Sequence, residues 1–263
     1  MPRTIQSVTN ACRVIEYLQQ SEGGSVTELA EATDLTPGTV HAYLTTLRQE
    51  NYVAKEGRTY RLGPKLLTLG EYVRNHAEVY RAAKDQVETL AEETGESAHL
   101  LVEHDGQLFA LYERFGQNAV GVEYHDRKRE QPLNHLHCTA AGKAILSQLP
   151  DAEVREIVND RGMPRNTRNT ITDVEVLLEE LAAVRERGYA FADEEQMAGI
   201  RAVGAPVTHE ESGTIGAVAI SGPTARFKND EFRQVYPEMV VQAANICEVN
   251  LHTIRGESLE IPE

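Results

Sequence analysis

Two stretches of the chain carry side chains whose types and spacing could do chemistry. In the first, Thr36, Pro37, Gly38, Thr39, His41, Ala42 and Thr45 lie away from Val40, Leu44 and Leu47, which share one face at helical spacing. A small, hydrogen-bonding helix face of this kind fits a DNA groove, with readout expected to fall on Thr39, His41 and Thr45 and on Arg58 beyond the helix, and Thr27, Arg48 and Arg61 as further candidate DNA contacts. The second is His137-Cys138-Thr139-Ala140-Ala141-Gly142-Lys143. Thr139 can cap a helix beginning near Ala140, so that the amides of Ala140, Ala141 and Gly142 face outward from a positive helix end and suit an anionic ligand. Asp193, Glu195 and Ser221 sit at the ends of two apolar runs that could converge on the same pocket.

Other chemistry is weaker. His135, His137 and Cys138, with His125, Asp193 or Cys247 brought near by folding, offer zinc-type donors, but HxHC lacks a standard ligand spacing and no metal or cofactor is expected. Cys138 could act as a nucleophile only with a recruited imidazole such as His99 or His125, because its neighbour His137 points away from it. That hydrolase reading, and a protein-interaction module that never touches DNA, stay open beside the DNA-binding one.

The elements that must position these residues follow from periodicity and punctuation. A helix is expected over residues 5–20, with Val8, Ala11, Cys12, Ile15 and Leu18 as its apolar stripe, ended by Gly23-Gly24. Thr27 caps a second helix, Asp34 turns the chain in a left-handed conformation, Thr36-Pro37 starts a third, and Asn51 ends it. Tyr52-Val53-Ala54 and Thr59-Tyr60-Arg61-Leu62 around Lys55-Glu56-Gly57-Arg58 read as a hairpin, so residues 25–61 form a winged helix-turn-helix. Residues 64–77 read as a linker helix whose Leu66, Leu67, Leu69, Tyr72 and Val73 invite either a second copy of the chain or packing against its own domain.

Beyond a helix from Val79 to Glu93, three short strands are expected at 97–103, 107–113 and 118–124. Helices follow at 141–149, 151–159 and 172–187, then strands at 189–192, 202–208 and 214–221 with a turn at Glu211-Ser212-Gly213, and a last helix at about 229–252. The result is an α+β chain with one antiparallel sheet: residues 1–63 bind DNA, 64–77 link, 78–255 form the second domain and 256–263 a tail.

The 263 residues include 41 acidic and 26 basic side chains, a net charge of -15, and only six of the basic residues are lysine. Residues 1–61 hold six basic and seven acidic side chains, a net of -1, which leaves -14 for the remainder. Surplus carboxylate with little lysine fits a halophilic source, where concentrated salt screens the repulsion. We expect the purified protein to lose its fold or its solubility below roughly 1 M salt, where that screening weakens; full stability in dilute buffer contradicts this. Three widely separated cysteines, no apolar run of membrane length and no leader are expected of a soluble cytoplasmic protein with no membrane partner.

With these elements placed, the chain resembles the IclR family of transcription regulators over nearly its whole length. The resemblance rests on the winged helix-turn-helix, the linker helix, His137 to Lys143, Arg187-Gly188-Tyr189 with Asp193-Glu194-Glu195, Gly199 to Val203, Ala205-Pro206-Val207 and Ile220-Ser221-Gly222-Pro223. It implies a homodimer or dimer of dimers on palindromic double-stranded DNA operators, and a GAF-like C-terminal domain that binds a small effector, commonly an organic or aromatic acid or a sugar-derived metabolite. Ala202 and Ala219 fall where family members often present Cys or Ser to the effector, and Ala42 where the family often has Arg.

Overall fold

The computed structural model describes residues 4–120, 135–209 and 214–258. Contacts divide the chain between Asn75 and His76 into two units, each with its own core.

The first unit contains α1 (Gln6–Gln20), α2 (Val26–Thr33), α3 (Pro37–Gln49), the hairpin β1 (Val53–Glu56) and β2 (Thr59–Leu62), and α4 (Lys65–His76). Its core is Val14, Leu18, Leu29, Ala30, Val40, Leu44, Val53 and Tyr60. Two local expectations change. Ser25, not Thr27, caps α2: its side chain accepts from the Glu28 amide while the Glu28 carboxylate accepts from the Ser25 amide at 2.8 Å, a reciprocal capping box. The Ser25 amide in turn draws the Glu28 carboxyl below its ordinary pKa. On α1 the core side is Asn10, Val14 and Leu18, whereas Val8 and Cys12 are exposed.

The left-handed turns fall where short polar side chains allow them. Asp34 has φ 56° and ψ 36° after α2. Asn51 has φ 63°, but it lies one residue past the cap Glu50, and the amides of Asn51 and Tyr52 close back onto the carbonyls of Arg48 and Leu47. That double closure ends α3 sharply and turns the chain into β1.

The second unit contains α5 (Glu78–Thr94), β3 (Ser97–His104), β4 (Gln107–Phe115), a 3-10 turn (Leu136–Cys138), α6 (Ala140–Leu146), α7 (Asp151–Arg161), α8 (Val174–Arg187), β5 (Ala190–Asp193), β6 (Ile200–His209), β7 (Thr214–Pro223) and α9 (Tyr236–Ser258), the last preceded by a π turn over Glu231–Val235. The described sheet is antiparallel in the order β4-β3-β7-β6-β5. One face packs on α5 and α9 through Val87, Leu90, Leu100, Val203, Val218, Ile220, Phe227 and Val240. The other packs on α6, α7 and α8 through Leu101, Ile145, Leu177, Leu181, Ala190, Ala217 and Ala219. Alternation of side chains along each strand therefore fixes which residues belong to which layer.

Of the expected strand at 118–124, Asn118 to Val120 form turn and coil rather than strand. The Asn118 amide donates to the Gly95 carbonyl at 2.8 Å instead of to a neighbouring strand. The rest of that stretch, with His125, and the turn at residues 211–213 lie outside the described residues.

Candidate functional site

The recognition surface begins at Thr36. Its hydroxyl accepts from the Thr39 amide at 3.2 Å and lies 2.8 Å from the Thr39 hydroxyl, and Pro37 occupies the first helical position. Val40 and Leu44 are fully buried behind it. Thr36, Pro37, Gly38, His41, Ala42 and Arg48 are exposed, and Thr39 and Thr45 half-buried. The Thr45 hydroxyl donates to the His41 carbonyl at 2.7 Å, which leaves its lone pairs and the His41 ring on the outer surface. In the wing, Arg58 is exposed beside Gly57, which has φ 61°. Arg61 is engaged elsewhere: it donates to the Glu22 carbonyl at 2.9 Å and pairs with Glu56 at 3.4 Å, clasping the hairpin to the end of α1. Thr27 lies exposed on α2.

In the second unit, Thr139 caps α6 as expected, accepting from the Gly142 amide at 2.9 Å. The expected outward amides are corrected: Ala140, Ala141 and Gly142 are buried, and the Gly142 amide is consumed by the cap. Two glycines explain how closely this helix sits. A Cβ on Gly142 would stand 2.2 Å from the Leu136 carbonyl oxygen, and one on Gly204 of β6 would stand 3.0 Å from the Ala140 and Ala141 backbone. His137 lies 3.2 Å from the Pro164 carbonyl through Nε2, and burial pushes its pKa down, so it holds the loop after α7 as a neutral ring. Cys138 is buried, donates to the His135 carbonyl at 3.5 Å and accepts from Asn166 Nδ2 at 3.3 Å. Among the described residues no group of three or more His, Cys, Asp and Glu is arranged to hold a metal ion.

Lys143 is almost completely buried. Its ammonium meets Glu195 Oε1 at 2.7 Å and Glu180 at 3.8 Å, while Glu195 Oε2 is buried without a hydrogen-bond partner. Burial raises the Glu195 pKa, against the pull of Lys143.

Asp193 and Glu195 do not converge, which corrects the sequence expectation. Asp193 shares the face of Phe191 and pairs with Arg201 at 2.6 Å and Arg233 at 3.2 Å, on the side of the sheet covered by α9. Glu194 has φ 58°; this left-handed residue breaks the two-residue alternation and turns Glu195 to the other layer, where Lys143 waits.

The strand register places Ala192, Ala202, Ser221 and Ser97 in one row across the α6 side, with Gly204, Ala219, His99 and Glu113 in the next. Of the expected effector contacts, Ala202, Ala219 and Ser221 thus share one face with Ala140 and Ala141. The sequence reading missed Glu113 and gave His99 a different role. His99 Nδ1 lies 2.7 Å from Glu113 Oε1 and its Nε2 lies 2.9 Å from Ser221 Oγ. The available signal was a histidine in the otherwise apolar run Ala98-His99-Leu100-Leu101.

A capped helix with an exposed polar face and a wing, followed by an α/β/α domain with a polar constellation on one sheet face, defines a DNA-binding regulator with a ligand-binding domain. Residues 7–57 match the family model of the IclR helix-turn-helix domain, and residues 71–248 that of the bacterial transcriptional regulator IclR C-terminal domain. The chain belongs to the IclR family of transcription regulators, which are not enzymes. It is 40% identical over 253 residues to the probable HTH-type transcriptional regulator ArcR of Halobacterium salinarum, covering 96% of each chain. The crystal structure of Thermotoga maritima IclR matches with a TM-score of 0.74 at 26% identity, over 94% of this chain and 99% of that one. An IclR homolog from Microbacterium hydrocarbonoxydans, complexed with 4-hydroxybenzoate, shares the fold with a TM-score of 0.79 at 21% identity, over 94% and 99% of the two chains. Among the described residues no helix is long and apolar enough to cross a membrane.

Proposed function

We propose that the chain is a cytoplasmic, homodimeric or dimer-of-dimers regulator that binds palindromic operators and releases or engages them in response to a small anionic metabolite. The observation that carries the DNA half is the polar face of α3, held rigid by the Thr36 cap and the buried Val40 and Leu44. Thr39, His41 and Thr45 read base edges, while Thr27, Thr36, Gly38, Arg48 and Arg58 contact the backbone. Ala42 adds no charge, and Arg61 contributes by fixing the wing.

Pairing is supported by apolar side chains that the first unit leaves in solvent: Leu67, Leu69, Tyr72 and Val73 on α4 are 69%, 41%, 62% and 64% exposed, and Ile5 and Val8 on α1 are 67% and 57% exposed. The effector half rests on the α6 side of the sheet, with Ala140, Ala141, Ala202, Ala219 and Ser221 at the site, and Thr139, Gly142, His137 and Glu195 shaping it. Working in high salt is supported by the acidic composition and by the Halobacterium salinarum relative.

The test is a mobility shift on the DNA upstream of the protein's own coding sequence in about 1 M salt, with few phosphate contacts predicting a shallow dependence of affinity on salt. We expect a discrete shifted species whose midpoint moves at least ten-fold when an acid that raises the melting temperature is added. Absence of a shifted species in both dilute and molar salt would favour the protein-interaction reading instead.

A further inference from the structure

Helix α9 has two sides of different character. Its inner side, with Val240, Ala243, Ala244, Cys247 and Leu251, is buried in the core of the second unit. Its outer side lacks the carboxylates that cover the other helices of this unit. Asp151, Glu153, Glu156 and Asp160 are exposed on α7, and Glu175, Glu179 and Glu186 on α8. Among the described side chains of α9 the only exposed carboxylate is Glu238, and it shares the outer side with Gln242, Asn245, Val249, His252 and Thr253. In a chain of net charge -15, a surface relieved of carboxylate is one that need not stay hydrated, and depletion of charge marks the core of a protein interface.

The spacing on that side is that of a helix seam. Val235, at the end of the π turn, is followed by Met239, Gln242, Ile246, Val249 and Thr253, in alternating steps of four and three residues, the period that packs one helix along another. Val235 and Val249 are 49% and 64% exposed, while Met239 and Ile246 are half-buried at the inner edge of the seam.

A second copy fits this seam in one direction. A two-fold contact must be self-complementary, so that the same patch serves both copies. Laid antiparallel with the axis beside Ala244 and Asn245, Val249 opposes the partner's Met239, Ile246 the partner's Gln242, and Val235 the partner's Thr253. Asn245 meets its own counterpart, and an amide can both donate and accept. Glu238 then opposes the partner's His252, whose imidazole carries an N–H whether neutral or charged and stacks on the buried His209 with ring centroids 4.6 Å apart. Within one copy Glu238 and His252 are separated by about 21 Å of helix and cannot meet. A parallel pairing would set Glu238 against Glu238.

We propose that the outer face of α9 pairs antiparallel with the same face of a second copy, joining two second units. The inference rests on the homo-oligomer reading given above and adds a surface to it that is distinct from α4.

Cross-linking tests the pairing and its direction together. In a Cys12→Ser background, which removes the exposed native thiol and leaves the buried Cys138 and Cys247, Asn245→Cys and Val235→Cys are treated with a short bis-maleimide in about 1 M salt. Asn245→Cys should become a covalent dimer, because its copies meet at the axis. Val235→Cys should link at least ten-fold more slowly, since its copies stand about 30 Å apart in the antiparallel register. Sedimentation equilibrium of Val249→Glu, a change at an exposed position, should show association weakened at least ten-fold, because a carboxylate would be buried against the partner's Met239. Equal linking at both positions, linking at neither, or a Val249→Glu chain that associates like the parent overturns the α9 pairing. If the parent still sediments as a dimer or tetramer in those circumstances, pairing through another surface such as α4 stands; a parent that is monomeric throughout ends both readings.

Discussion

Replacing Lys143 with methionine should cost the second unit roughly 3–5 kcal/mol, because it strands a carboxylate in the interior without its counter-charge. Lys143 Nζ lies 2.7 Å from Glu195 Oε1, both residues are more than nine-tenths buried, and the other oxygen of Glu195 already lacks a partner. Glu180 is a minor loss, since it keeps Arg187 at 2.7 Å. An effect of this size is a large share of the ~5–15 kcal/mol by which domains are stable. Urea denaturation in molar salt measures it. The paired change Lys143→Met with Glu195→Leu should recover most of the loss, because buried ion pairs are often replaceable by apolar side chains.

The pH dependence carries a sign. The folded-state pKa of Glu195 lies above its ordinary 4.5 because burial outweighs the attraction of Lys143. The native state therefore binds the proton more readily than the unfolded chain, and this group's stabilising effect is complete at low pH and fades as pH rises from 4.5 through the raised value. Without Lys143 that value moves further up. The stability gap between Lys143→Met and the parent should therefore narrow as pH is lowered from 8 towards 5. A gap that stays constant or widens on acidification would mean that the pair is not what holds this layer together.

The features that the sequence revealed are those decided within a few residues. Thr36-Pro37 and Asp34 were legible because a cap, a fixed φ and a left-handed residue act through the local backbone. The α2 cap was misread by two positions although its signal, Ser25 followed three residues later by Glu28, was present. Helix α1 shows a different limit: it has apolar residues on more than one side, and only the packing partner decides that Val14 and Leu18 are buried while Val8 is not. Asn10 joins them because its amide donates to the Tyr43 hydroxyl at 3.4 Å, across 33 residues of chain.

The second site was legible in its types and illegible in its pairings. Ala219 and Ser221 share a face because alternation along a strand is a local rule, whereas Ala202, which the family resemblance alone singled out, joins them through its register opposite Ser221. The partnerships of Lys143 with Glu195 and of His99 with Ser221 span 52 and 122 residues, and no spacing rule anticipates them. Asp193 and Glu195 end the same apolar run, and the left-handed Glu194 between them sends the two side chains to opposite layers.

Leu44→Ala should abolish DNA binding without touching the recognition face. Leu44 is fully buried, in the same core cluster of the first unit as Val14, Leu18, Leu29 and Val40. Truncating a buried leucine costs about 2–5 kcal/mol through lost transfer energy and the cavity it leaves. The first unit is small, and a domain of that size buries a smaller fraction of its surface and has little stability in reserve. Its core is separate from both clusters of the second unit, so the loss should stay local: calorimetry should show a lowered or missing transition for the first unit and an unshifted one for the second. Thr39→Ala is the contrast, since Thr39 is half-buried at the surface and its hydroxyl lies 2.8 Å from that of Thr36. It should leave both transitions in place while weakening operator binding by about 1–3 kcal/mol if that side chain reads a base edge. A Leu44→Ala protein that still binds its operator with parent affinity would show that the first unit draws its stability from something other than this core, with pairing through α4 the first place to look.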